Sequence, residues 1–399
     1  MAAVEPLAAG VLARVRSGLA IGGRPTQAEL LALVRSASAE AGRVLGAEDV
    51  QAVTARVTAE LWGLGPLQPL VDRPGATDVL VNGPDEVWLD CGAGLRRVHC
   101  PLGAEPEVRA LAVRLAASSG RRLDEASPWV DARLDHGIRL HAVIPPVSPS
   151  GTLISLRMLR RDPFDLAGLV QAGCLPPAWA PVLEALITSR AAFLVSGGTG
   201  AGKTTLLATL LSLAAPAERI VLVEDVGELW PRHPHLVRLE ARHANVEGRG
   251  SVTLEDLVRQ ALRMRPDRVV VGECRGAEVR DLLAALNTGH AGGCGTVHAN
   301  ATADVPARLE ALGALAGLSP AAVRAQAVAA LDVIVHVERS GVRRRVVELA
   351  AVRRSGDGEL SLLPALIADP ENPAGPGRCG PGWGYLAERL GLSRSEWAR

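Results

Sequence analysis

The spacing of apolar positions along this chain changes twice, and each change marks a different kind of element. Up to about residue 62 the apolar residues recur at helical intervals. Leu30, Leu31, Leu33 and Val34 follow Thr26 and Glu29, a T-x-x-E capping box in which each side chain serves the other residue's backbone N–H. A later helix closes near Leu61, ahead of Gly63. Residues 1–62 therefore read as a helical segment for packing or docking.

From 63 to 160 the pattern shortens to strands divided by turns. Val79, Leu80 and Val81 precede Asn82-Gly83, and Val87, Trp88 and Leu89 precede a glycine-containing loop. A helix is predicted near 105–118, then two strand-like pieces around His136-Gly137. Leu153 to Leu159 alternates, with Ile154, Leu156 and Met158 on one face. This is a small α+β domain. Residues 161–178, with three prolines and two glycines, read as an interdomain linker.

Beyond the linker, strand and helix signals alternate. Strands are predicted at 192–196, 219–224, 236–240, 268–273 and 294–298, and helices at 203–214, 254–264, 278–287, 303–316 and 320–330. A hairpin, 332–338 with 343–352, turns at Ser340-Gly341. Such alternation predicts a mostly parallel α/β sheet covered by helices over 179–363. The Pro- and Gly-rich tail 364–399 reads as a loosely ordered extension.

The first of these strands leads into SGGTGAGKTT, Ser196 to Thr205, which contains the template G-x-x-x-x-G-K-[ST] between an apolar strand and an apolar helix. Gly197, Gly198, Thr199, Gly200, Ala201, Gly202, Lys203, Thr204 and Thr205 are thus the candidate nucleotide-phosphate cradle. Backbone N–H groups and the positive end of the helix face the anion there. Lys203 is expected to reach the β and γ phosphates of ATP, and the Thr204 hydroxyl to ligate Mg²⁺. Lysine and arginine together number 43, and Lys203 is the only lysine among them. A compact ammonium fits a tight loop where a broad planar guanidinium does not.

Other totals narrow the setting. Net charge is zero, so no global field draws the chain to nucleic acid or anionic lipid. The six cysteines lie scattered without C-x-x-C or zinc-like spacing, the pattern of free thiols in a reducing compartment. The start lacks a secretory-signal pattern, and the uncharged stretch near 166–183 is interrupted by Pro176 and Pro177. A soluble, cytoplasmic protein attached to membranes through partners is expected.

Hydrolysis needs carboxylates beside the phosphate site. Ile220–Val223 runs into Glu224-Asp225 and on to Glu228, and Val269–Gly272 runs into Glu273. Glu273 is the expected water-orienting base, because a buried strand ending in an acid has little structural reason for that charge. The second strand ends Gly-Glu where Asp-Glu is usual, so the magnesium-side carboxylate falls to Asp225 or Glu224. His290 and His298 lie in the glycine-rich LNTGHAGGCGTVHAN, where sensing of the γ phosphate and a satisfied structural role both stand open. His233, His235 and His243 lack an acidic or thiol partner at metal-site spacing.

Taken in order, SGGTGAGKTT, VEDVGEL, LRMRPDRVVVGECRGAE and ALNTGHAGGCGTVHAN resemble the four nucleotide-site signatures of the type II/type IV secretion ATPase superfamily. Within it, the chain is most similar to the tight-adherence (Flp) pilus assembly ATPases. ELWGLGPLQPL, TDVLVNGP and VDARLDHGIRLHAVIPP extend the resemblance over about 60–350. It implies a RecA-like P-loop domain after a smaller N-terminal α+β domain, in a hexameric ring that hydrolyses ATP at an inner-membrane pilus or secretion platform. It assigns Glu228 to the first acidic box, Glu273 to the hydrolytic water and His298 to the histidine box. It also implies that arginines of the N-terminal domain reach the phosphates: Arg133 in VDARL and Arg157 in LISLRML, with Arg139 a weaker candidate. On residues alone each of these is a surface cation. Cys274 and Cys294 depart from the expected pattern and read as small buried thiols. The rival reading is a DNA-translocating or conjugation-associated ring ATPase. Balanced charge and 3% aromatic residues weigh against a nucleic-acid groove.

Overall fold

The computed structural model describes residues 10–11, 25–40, 45–92, 94–134, 137–158, 164–242, 249–341, 343–356 and 359–393, and it divides into two compact units, 1–159 and 160–399. In the first unit, helices Gln27–Glu40 and Ala47–Trp62 meet through Leu30, Val34, Val50, Val53 and Val57. The capping box forms as the sequence predicts: Thr26 N–H donates to Glu29 Oε2 at 2.7 Å and Glu29 N–H to Thr26 Oγ1 at 3.3 Å.

The strands that follow are β1 (Asp78–Gly83), β2 (Glu86–Asp90), β3 (Leu95–Val98), β4 (Trp129–Arg133), β5 (Arg139–Val143) and β6 (Leu153–Arg157). They form an antiparallel sheet in the order β3-β2-β1-β6-β5-β4. Alternation puts Val79, Val81, Leu140, Ile154 and Leu156 on one face, in a core shared with Val108, Leu111 and Leu115 of the helix Glu105–Ser118. The opposite alternation aligns three cations, since Arg133 pairs with Arg139 and Arg139 with Arg157. Directly paired residues of an antiparallel sheet share a face, so all three arginines form one row. Asp78 continues the row on β1, and Arg157 Nε donates to its Oδ1 at 3.0 Å.

The second unit holds β7 (Phe193–Gly197), β8 (Ile220–Glu224), β9 (Leu236–Glu240), β10 (Arg268–Cys274), β11 (Cys294–His298), β12 (Val333–Ser340), β13 (Arg343–Arg354), β14 (Leu360–Ile367) and β15 (Arg378–Cys379). Their order is β15-β14-β13-β12-β7-β11-β10-β8-β9. Neighbours from β9 to β12 are parallel, and the remaining three strands add antiparallel. β7 and β8 are buried throughout, as near-continuous apolar runs in a sheet covered on both faces require. One face carries the helix Lys203–Leu211, and the other carries helices Leu254–Ala261, Glu278–Asn287 and Val305–Leu315. The parallel strands therefore end together at one edge, and that edge receives the P-loop and both acidic clusters.

Two sequence expectations give way to packing. The linker predicted at 161–178 is not a free connector over its described part. The helix Leu166–Gln171 and the turn Pro177–Trp179 bury Leu169, Leu175 and Trp179 in the second unit's core. The tail is not loosely ordered over its described residues either. β14 crosses the predicted boundary at 363, and the helix Trp383–Leu390 buries Trp383, Leu386, Ala387 and Leu390 in the same core. Trp179 Nε1 donates to the Pro376 carbonyl at 2.8 Å, joining the two stretches.

Candidate active site

The P-loop owes its shape to backbone that only glycine adopts readily. Gly202, which opens the helix Lys203–Leu211, has φ 97°, a left-handed value that leaves room for successive N–H groups to point inward. Lys203 lies behind them, 9% exposed, and its Nζ donates to the carbonyls of Gly197 and Gly198, each at 2.9 Å. Burial lowers its pKa, Glu273 and Glu228 pull it back up, and Arg275 pushes it down. Those influences set Lys203, Glu228, Glu273 and Arg275 in one electrostatic neighbourhood at the C-terminal edge. Thr204 and Thr205 occupy the first turn of the helix, as predicted.

The first acidic box separates into two jobs. Glu224 ends β8 with its carboxyl turned inward, where Oε1 accepts the N–H groups of Glu228 and Leu229 at 2.8 and 2.9 Å. It shapes the turn that carries Asp225 and Glu228. Of the two candidate magnesium-side acids, Glu224 is thus committed to the turn itself. Burial pushes the Glu224 pKa up to about 7 against those two hydrogen bonds and Arg238, whose Nη1 lies 3.9 Å from Oε2. This geometry also accounts for the Gly-Glu ending of β10. A Cβ on Gly272 would stand 2.7 Å from Glu224 Cγ, so the acid of β8 fills the space that a side chain on β10 would need.

Glu273 sits one residue before the end of β10 with its side chain 28% exposed, paired with Arg275, whose Nε donates to Oε2 at 2.7 Å. Its charge has a structural partner that the sequence reading did not foresee. His298 ends β11 opposite Gly197, beside the entrance to the P-loop. His290 is elsewhere. It lies before β11, at the other edge of the sheet, where its Nδ1 meets the Ala285 carbonyl at 3.2 Å. His233 and His235 bond the Ala215 carbonyl and Arg219, each at 3.0 Å. His243 lies outside the described residues. Among the described residues no cluster of three or more His, Cys, Asp or Glu is placed to hold a metal by itself. Cys274 and Cys294 are buried, and burial raises both thiols, Cys294 to about 12.

The β12–β13 hairpin supplies residues that sequence reasoning missed. Arg344 Nε donates to the Gly200 carbonyl at 2.9 Å, and Arg339 Nη1 lies 3.0 Å from where a Gly200 Cβ would be. Their signal in the sequence was an arginine cluster around the predicted turn. Arg133, Arg139 and Arg157 belong to the first unit, where they are brought together with one another as described above.

A Walker-type loop after the central strand, two strand-terminal acidic groups beside it and a parallel sheet in this order define a P-loop NTPase of the RecA-like class. Residues 60–345, more than half of the chain, match the family described as "Type II/IV secretion system protein". A putative conjugal transfer protein of Mycobacterium tuberculosis is 56% identical over 332 residues, 82% of this chain and 94% of the relative. The type IV secretion system protein PtlH of Bordetella pertussis is 34% identical over 319 residues, 71% of this chain and 92% of the relative. Among solved structures, the pilus retraction motor PilT with bound ADP shares the fold, with TM-score 0.50 and 20% identity over 77% of this chain and 84% of that one. The chain belongs to the type II/IV secretion system protein family and is an ATPase.

Proposed function

We propose that this chain is a motor that couples magnesium-dependent ATP hydrolysis to work on a membrane-embedded pilus or secretion platform, as a homo-oligomeric ring, by family resemblance a hexamer. One observation carries the reading: Gly197 ends β7, Glu224 ends β8 and Glu273 lies at the same end of β10, parallel strands of one sheet, so the loop that holds Lys203 and both acidic stretches share one edge. Lys203 exchanges the Gly197 and Gly198 carbonyls for the β and γ phosphate oxygens. Thr204 and Asp225 offer a hydroxyl and a carboxylate, hard oxygen donors that suit Mg²⁺ in company with phosphate and water. The ion would neutralise charge on the β and γ phosphates. Glu273 accepts a hydrogen bond from the attacking water and orients it, Glu228 borders the same space, and His298 adjoins the first glycine of the loop. Arg133 and Arg157 supply planar, permanent charge for the phosphoryl group, and their placement in one row supports a joint role.

A cytoplasmic location on the inner face of the membrane, held by partners, fits these features. No helix among the described residues is long and apolar enough to cross a membrane. Flp pilus assembly is one outlet of the proposed work. The name of the Mycobacterium relative favours a second, conjugation-associated transport. Phosphate release from ATP by the purified chain separates them. We expect magnesium-dependent turnover that added DNA leaves unchanged, whereas several-fold stimulation by single- or double-stranded DNA favours the conjugative reading. Absence of turnover under every condition contradicts the motor.

A further inference from the structure

Arg275 stands two residues beyond the hydrolytic Glu273, and although its side chain is more than half exposed, both its backbone and its guanidinium are held in place. Buried Glu278 accepts the N–H of Arg275 at 2.5 Å and that of Gly276 at 2.8 Å, fixing the turn from below. Above the turn the guanidinium engages one oxygen of Glu273 through both Nε and Nη2. Burial opposes its charge, but Glu273, Asp225 and Glu228 outweigh that and hold its pKa above the ordinary value. Arg275 thus holds Glu273 at the same strand-end edge of the sheet that carries Lys203 and the P-loop. In this arrangement both cations are spent internally: Lys203 on loop carbonyls, Arg275 on the residue that must orient water.

We propose that Arg275 is a γ-phosphate sensor acting in cis: it latches Glu273 until the terminal phosphate of ATP takes over the guanidinium and releases the carboxylate to the water. A phosphoryl group offers a planar guanidinium two oxygens and more charge than a carboxylate does, so it competes well for the same fork. ADP has no γ phosphate to offer and leaves the latch closed. A ligand shifts such an equilibrium only by binding the released state better, so the sensor also sets the preference for ATP over ADP. The inference rests on the ATPase reading, with Glu273 as the positioning group for water.

Equilibrium binding of ATPγS and of ADP to the full-length chain tests it without requiring turnover. Arg275→Gln is expected to weaken ATPγS binding about tenfold or more while changing ADP binding less than about twofold. Arg275→Lys, which keeps charge but loses the fork, is expected to show the same selective loss. Glu273→Gln opens the latch and should tighten ATPγS binding in the wild-type background but not beside Arg275→Gln, a coupling that a purely structural arginine would not show. Equal losses for both nucleotides, no loss, or additive effects in that cycle overturn the proposal. Absent hydrolysis with the selective binding pattern intact would instead strike the ATPase reading and leave the sensor standing.

Discussion

At the scale of single residues, the site is built from fits that tolerate no near-equivalents. The Lys203 ammonium lies between two carbonyls at 2.9 Å, and the other cations of this chain are arginines. Lys203→Arg keeps the charge but brings a fork too broad for the loop, so we expect at least about a hundredfold loss of ATPase activity; wild-type turnover in that variant would remove shape from the explanation. Glu224 gives a pH signature. Its pKa rises from 4.5 in the unfolded chain to about 7 in the fold, so between those values the folded state binds the extra proton and stability falls as pH rises. The effect is at most about 3 kcal/mol. Denaturation midpoints at pH 5 and pH 8 should therefore differ less in Glu224→Gln than in the wild type, and an identical difference would show that this carboxyl does not titrate in that window. The departure Gly272-Glu273 was visible in the sequence. Its cause was not, because it depends on a side chain 48 residues away that arrives only through the pairing of β8 with β10. Arg275 escaped for a different reason, since arginine is so common here that nothing local marks it, and the only signal for Arg344 was the arginine cluster around the predicted turn.

At the scale of elements, periodicity was a good guide wherever one face met the core. The helix Glu278–Asn287 and the strand Cys294–His298 fall on the predicted boundaries, since glycine-rich stretches delimit both. Composition misled in the tail, where prolines and glycines masked Trp383, Leu386, Ala387 and Leu390 at helical spacing. Those side chains complete the core that starts at Leu169, so Trp383→Ala is expected to cost about 3–5 kcal/mol, read from the urea midpoint. A midpoint unchanged within error would mean that the tail is dispensable after all. Arg268 supports the opposite edge of the sheet: fully buried, it pairs Nε with Glu218 Oε2 at 2.6 Å and donates to the carbonyls of Ile187 and Gly292. Arg268→Ala strands Glu218 and two carbonyls and should cost about 3–5 kcal/mol.

At the scale of the whole molecule, two units with separate cores contribute different chemistry. The second carries the P-loop, the acidic strand ends and His298, while the first carries the row Arg133, Arg139 and Arg157 on an antiparallel sheet. Strand order in neither sheet could be read from the sequence, because β1 pairs with β6 and β7 lies between β11 and β12, partners far away in the chain. If the arginine row acts on the transferred phosphoryl group, Arg133→Ala and Arg157→Ala should lower kcat by about tenfold or more while changing nucleotide affinity little. Unchanged kcat in both would confine the row to a structural role. Everything joins at the claim that Lys203 and Glu273 act on one bound triphosphate. Parallel measurement of ATP binding and steady-state hydrolysis in wild type and Glu273→Gln tests it most directly. Binding at least as tight as wild type with turnover reduced about a hundredfold or more is the expected result, and equal turnover in the two proteins would contradict it.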